Sequence, residues 1–174
     1  HFGENRLQEA MEKVGALPPD IHWHFIGHLQ TNKVNKVLPA FELIHSLDRM
    51  RLARRIQREG EKIDRKVDVL LQVNIGLEKS KHGFHPEEAE DALAEIAAYT
   101  HLKVQGLMAI APYLDDPEET RPYFRRLYDL FKRIKVPGAT MKYLSMGMSG
   151  DFEVAIEEGA NMVRLGSALF GERS

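Results

Sequence analysis

The feature that most constrains this chain is a regular alternation of two kinds of segment. Six short β-rich runs are "WHFIG" (Trp23 to Gly27), "ELIHSL" (Glu42 to Leu47), "DVLLQVNI" (Asp68 to Ile75), "VQGLMAIA" (Val104 to Ala111), "KYLSMG" (Lys142 to Gly147) and "MVRLG" (Met162 to Gly166). Several are apolar on both faces, as a parallel strand covered by helices requires, whereas a half-exposed antiparallel strand would alternate. The segments between them carry helical period. Ala89, Ala92, Leu93, Ile96 and Ala97 fall on one helical face, as do Phe124, Leu127, Tyr128, Phe131 and Ile134. Asp116, Pro117 and Glu119 supply an N-cap, a first-turn proline and a capping-box acid for the second of these helices, and Pro86 opens the first. Strand and helix alternate throughout, with no Gly/Ser/Pro-rich linker, which means βα units wound in one direction. A barrel or a doubly wound sheet follows.

The first residues read as the end of another strand, "HFGEN", running into a helix over Asn5 to Val14. That makes seven strands in 174 residues, enough for one domain over residues 1–174 and short for two. A closed (β/α)₈ barrel needs eight strands, typically over about 250 residues. The expectation is therefore a barrel domain lacking at least one N-terminal βα unit.

Charge and composition exclude several classes. Lysine and arginine total 24 against 26 aspartates and glutamates, so there is no overall basic field to draw the chain onto nucleic acid or an anionic membrane. "RLARRIQREGEKIDRK" and "RPYFRRLYDLFKRIK" are locally basic but read as amphipathic helices with a solvated polar face. Cysteine is absent, which fits a reducing cytoplasm, and no run is long enough to span a membrane.

In either fold, ligands lie at the carboxyl ends of the strands, so the residues just past each run matter most. The last two of these loops, Gly147 to Asp151 and Gly166 to Gly171, are rich in glycine and serine. Such loops let backbone amides and a hydroxyl approach an anion, and a pair on consecutive late strands makes a phosphate cup. Tight βα turns use the same residues, but the pairing, with Arg164 two residues before Gly166, favours the phosphate. His22 and His24 share a strand face and His28 follows its end, a set too small for zinc, so no metal site is expected. "EKSKHG" reads as a solvated turn in preference to a lysine-rich anion loop. There is no nucleophile elbow, Walker loop or GxGxxG, and no catalytic residue is assigned.

"FGENRLQEA", "WHFIGHLQTNKV", "IHSLDR", "LLQVNIGLEKSKHGF", "GLMAIAP" and "LSMGMSGDFEVAIEEGANMVRLGSALFGER", in that order across essentially the whole chain, resemble the pyridoxal 5′-phosphate (PLP) homeostasis proteins, also described as proline synthetase co-transcribed homologues. The resemblance implies a single α/β domain, a (β/α)₈ TIM-type barrel of PLP fold type III similar to the N-terminal domain of alanine racemase. It further implies a PLP-binding protein that holds, buffers or hands over the cofactor without established catalysis. Partners among PLP-dependent apoenzymes and a monomeric state come with it. By the same resemblance Ser149, Gly166 and Ser167 hold the phosphate, Arg164 faces the pyridine nitrogen, Asn5 sits near the ring substituents, and Lys81 is a secondary contact at the rim. An arginine there keeps the ring nitrogen unprotonated and makes the cofactor a poorer electron sink.

One departure from the pattern concerns the aldimine lysine. The family carries it on the first barrel strand in a motif of the type apolar-x-V-S-K-T, which this sequence does not contain, so it is expected in a segment ahead of His1. The alternative function is a PLP-dependent racemase-like enzyme of the same fold, which would need a further domain or subunit for its opposite acid/base. An unrelated phosphate-sugar barrel enzyme rests on fold analogy alone.

Overall fold

A computed structural model describes residues 1–78 and 80–171. In chain order the elements are β1 (Phe2–Glu4), α1 (Leu7–Ala16), β2 (Trp23–Phe25), a 3-10 turn (Thr31–Lys33) leading into α2 (Val34–Val37), β3 (Leu43–Leu47), α3 (Met50–Lys62), β4 (Val67–Gln72), α4 (Ala89–Ala97), β5 (Leu102–Met108), a 3-10 turn (Pro117–Thr120) leading into α5 (Arg121–Arg133), β6 (Tyr143–Met148), α6 (Phe152–Glu157), β7 (Met162–Arg164) and α7 (Ser167–Phe170). All strand pairs are parallel and the sheet order is β1 to β7 without a reversal. A doubly wound sheet reverses its order at a switch point; this sheet does not.

The sheet is instead a nearly closed barrel. His45 on β3 hydrogen-bonds Ser145 on β6 at 3.0 Å, whereas strands three apart in a flat sheet would lie about 14 Å from each other. Alternation along each strand then divides the side chains into two layers. Trp23, Phe25, Ile44, Leu47, Val67, Val69, Leu71, Val104, Leu107, Leu144 and Met146 face the helices and join one large core. Leu43, Leu70 and Met108 form a separate small cluster in the barrel interior, with Tyr143 and Met162 packed on it.

The helices bury the faces that their periodicity predicts. α5 places Phe124, Leu127 and Leu130 against the sheet with Ile134 just beyond its end, each such side chain contributing about 1.5–3 kcal/mol. Ala89, Ala92, Leu93 and Ile96 of α4 are buried likewise. Two starts differ from expectation. α1 begins at Leu7, two residues late, because Asn5 lies in a bend after β1 and Arg6 is extended, and Pro86 opens a turn that precedes α4 by three residues. The Asp116 cap forms, its carboxylate accepting from the Glu118 N–H at 3.0 Å, but it starts the 3-10 turn that feeds α5.

Candidate functional site

The two glycine-rich loops meet. Ser149, in the loop after β6, accepts hydrogen bonds from the Gly166 and Ala168 amides at 3.1 and 3.2 Å, tying that loop to the start of α7. Its oxygen is filled by those two N–H groups, so its own proton is left to donate outward. The Ser167 amide lies between the two donors and has no partner among the described residues. The glycines here do different jobs. Gly147 has φ of 91°, and a Cβ on it would meet the Ala155 Cβ at 2.6 Å, so it seats α6 on the end of β6. Gly150 and Gly166 have nothing within 4 Å of a built Cβ and simply leave open space above the loops. Of the two clusters expected to form the cup, Gly147 is thus a packing residue, and within the second cluster it is the Ala168 amide, with that of Gly166, that reaches Ser149.

Arg164 lies just before this junction, at the end of β7, and points into the barrel. Its guanidinium donates to Ser145 Oγ at 2.7 Å and to the Ala109 carbonyl at 2.9 Å. Burial pulls it down to about 10, with Asp151 opposing, so it is a full cation at neutral pH. From Ser145 a polar chain crosses the interior, to His45 Nδ1 at 3.0 Å and from His45 Nε2 to His24 Nδ1 at 3.1 Å. Arginine can only donate, so the arrangement that leaves no buried hydroxyl proton unmatched has Ser145 donating to His45 and His45 donating to His24. Burial pushes His24 down to about 4. His45 is also held well below the usual imidazole value, by burial and then by Arg164 and His24. Both rings are neutral at neutral pH, and Arg164 is the charge of this layer.

The other expected residues lie around the same rim. Asn5 is exposed at the carboxyl end of β1, where Gly27 after β2 is in such close approach that a Cβ on it would overlap the Asn5 carbonyl. Lys81 is exposed in the loop after β4, its amide donating to the Glu78 carbonyl at 3.1 Å, on the arc away from β6 and β7. That turn is solvated as predicted where described, and its Lys79 lies outside the described residues. The histidines separate: His22 bonds Glu42 at the surface at 2.7 Å, His24 enters the barrel, and His28 joins Asp48 and His82 at the rim. His45 and Asp48 lie in a stretch past β3 that is expected to face the rim, but a lone serine or histidine beside an apolar run carries no local signal that His45 meets Ser145 100 residues away.

A parallel βα barrel with paired amide-rich loops after its last strands and a part-buried guanidinium beneath them defines a class of protein. The model of the family "Alanine racemase, N-terminal domain" matches residues 1–174, and the chain belongs to that family. Its relatives narrow the class further. The pyridoxal phosphate homeostasis protein of Aquifex aeolicus is 49% identical over 174 residues, 99% of this chain and 76% of that protein. Among solved structures, PipY of Synechococcus elongatus PCC7942 without PLP has a TM-score of 0.92 at 36% identity, covering 98% of this chain and 81% of that one. PipY with PLP bound has a TM-score of 0.84 at 35% identity over the same shares of both chains. The family is that of the pyridoxal phosphate homeostasis proteins, as the motifs implied.

Proposed function

We propose that this chain binds PLP at the mouth of the barrel and acts in PLP homeostasis, holding and releasing the cofactor. The observation that carries the reading is the junction at Ser149, where one hydroxyl gathers the amides of Gly166 and Ala168 beside the open space over Gly150 and Gly166. A phosphate fits this donor set: the Ser149 and Ser167 hydroxyls and the Ser167 amide donate, and the missing side chains of the two glycines admit its oxygens. Arg164 is held by Ser145 and Ala109 so that its charge stands under the same mouth, where it meets the pyridine nitrogen. Bound PLP supplies an electron sink, and a guanidinium opposite the ring nitrogen keeps that sink weak, which suits a carrier better than an amino-acid enzyme. Asn5 borders the ring substituents and Lys81 is a peripheral contact. The names of the relatives and the cofactor bound in PipY support the same reading.

No helix among the described residues is long and apolar enough to cross a membrane. We place the protein in the cytoplasm, which its lack of cysteine fits, as a monomer whose partners are PLP-dependent apoenzymes. The test is a titration with PLP, pyridoxal and inorganic phosphate, followed by absorption and calorimetry, together with assays of racemisation and transamination on alanine and other amino acids. Binding of PLP at least about tenfold tighter than pyridoxal, lost in Ser149→Ala and without turnover, is the expected result, since charge-assisted hydrogen bonds contribute about 1.5–3 kcal/mol each. Equal affinity for PLP and pyridoxal would remove the phosphate cup, and turnover would make the protein an enzyme.

A further inference from the structure

A second cluster of chemistry-bearing side chains stands on the same rim, away from the loops of β6 and β7. His28 follows β2, Asp48 follows β3, and His82 lies in the loop after β4, so three consecutive strands each contribute one residue. The Asp48 side chain is only 1% exposed, and its Oδ2 faces His28 Nδ1 at 3.0 Å and His82 Nδ1 at 3.6 Å. The other oxygen, Oδ1, is taken by the Arg49 guanidinium, which is itself fixed to the Leu29 carbonyl at 3.0 Å. The carboxylate is therefore oriented, with one buried oxygen left aimed at two imidazole nitrogens. The two rings stack with centroids 3.8 Å apart and 19° between planes.

We infer that His28, Asp48 and His82 form a binding site for a divalent transition metal of the zinc class. A tetrahedral ion about 2.05 Å from its ligands needs them about 3.3 Å apart, and the two distances to Asp48 Oδ2 bracket that value. All three ligand atoms lie within 4.8 Å of one another, so binding asks only that the two imidazoles swing together around the fixed carboxylate. Two nitrogens and one oxygen suit zinc or cobalt, whereas magnesium and calcium prefer an all-oxygen shell. Three protein ligands leave at least one coordination position open toward solvent at the rim, the pattern of a site that exchanges ligands.

The test uses the 174-residue chain without PLP, titrated with Zn²⁺ by calorimetry and with Co²⁺ by visible absorption. Expected are one ion per chain, an intense low-symmetry cobalt spectrum, and a loss of zinc affinity of at least about tenfold in both His82→Gln and Asp48→Asn, the lower bound for disturbing a metal ligand. His82 is largely exposed, so His82→Gln stays informative even if Asp48→Asn unfolds. Ser149→Ala should bind zinc as the parent does, which separates this site from the phosphate loops. A His82→Gln variant that binds zinc as tightly as the parent overturns the inference, and so does a parent chain that gives no cobalt spectrum.

Discussion

Ser145→Ala and Ser149→Ala remove the same atom from opposite environments, and comparing them tests whether the polar chain inside the barrel is structural. Ser145 is fully buried, accepts from Arg164 and bonds His45 Nδ1. Its loss removes a hydrogen bond to a charged donor, about 1.5–3 kcal/mol, and leaves His45 Nδ1 without a partner where water does not reach, about 1–3 kcal/mol more. Some relaxation of Arg164 toward the Ala109 carbonyl offsets part of this, so the expected destabilisation is about 2–5 kcal/mol. With a urea slope of about 2 kcal/mol/M, the unfolding midpoint falls by about 1–2.5 M. Ser149 also takes part in two hydrogen bonds, but at the rim, where the freed amides of Gly166 and Ala168 gain water. Its replacement should cost no more than about 1 kcal/mol. Equal and small shifts for the two variants would refute the claim that the Arg164–Ser145–His45–His24 chain is dry and fully paired.

The glycines of the last loops should separate in the same assay. Gly147→Ala forces a side chain into a left-handed conformation against Ala155 and should destabilise by at least about 1 kcal/mol, whereas Gly166→Ala meets nothing and should leave the midpoint unchanged while weakening PLP binding. For pH, the folded values of His24 and His45 are depressed, that of His24 to about 4, so the stability they contribute is complete above 6.5 and is lost progressively as pH falls below it, because the unfolded chain takes up protons that the folded one refuses. Urea midpoints that stay flat across that window would contradict the neutral assignment of the two rings. Arg164→Gln should change the absorption spectrum of bound PLP by altering the field at the ring nitrogen, and an unchanged spectrum in a folded variant would remove Arg164 from the site.

The strands were legible because two-sided apolar runs have few other uses, and the paired loops because glycine and serine after a strand are a local pattern. What escaped was everything made by convergence. Ser145 and His45 each sit in an apolar run, and only barrel closure brings them within 3.0 Å. His28 was read with His22 and His24 because they are neighbours in sequence, yet His22 precedes β2, His24 points into the barrel and His28 lies past the strand's carboxyl end, where it meets Asp48 and His82. Gly147 was read with Gly150 because both lie in one loop, and only the seat of α6 distinguishes their roles.

The most direct test of the account is a structure of the chain determined with PLP. The expected result places a phosphate oxygen within hydrogen-bonding distance of the Ser149 hydroxyl and the Ser167 amide, and the pyridine nitrogen facing the Arg164 guanidinium. A phosphate held elsewhere on the rim, or a ring nitrogen turned away from Arg164, would contradict it.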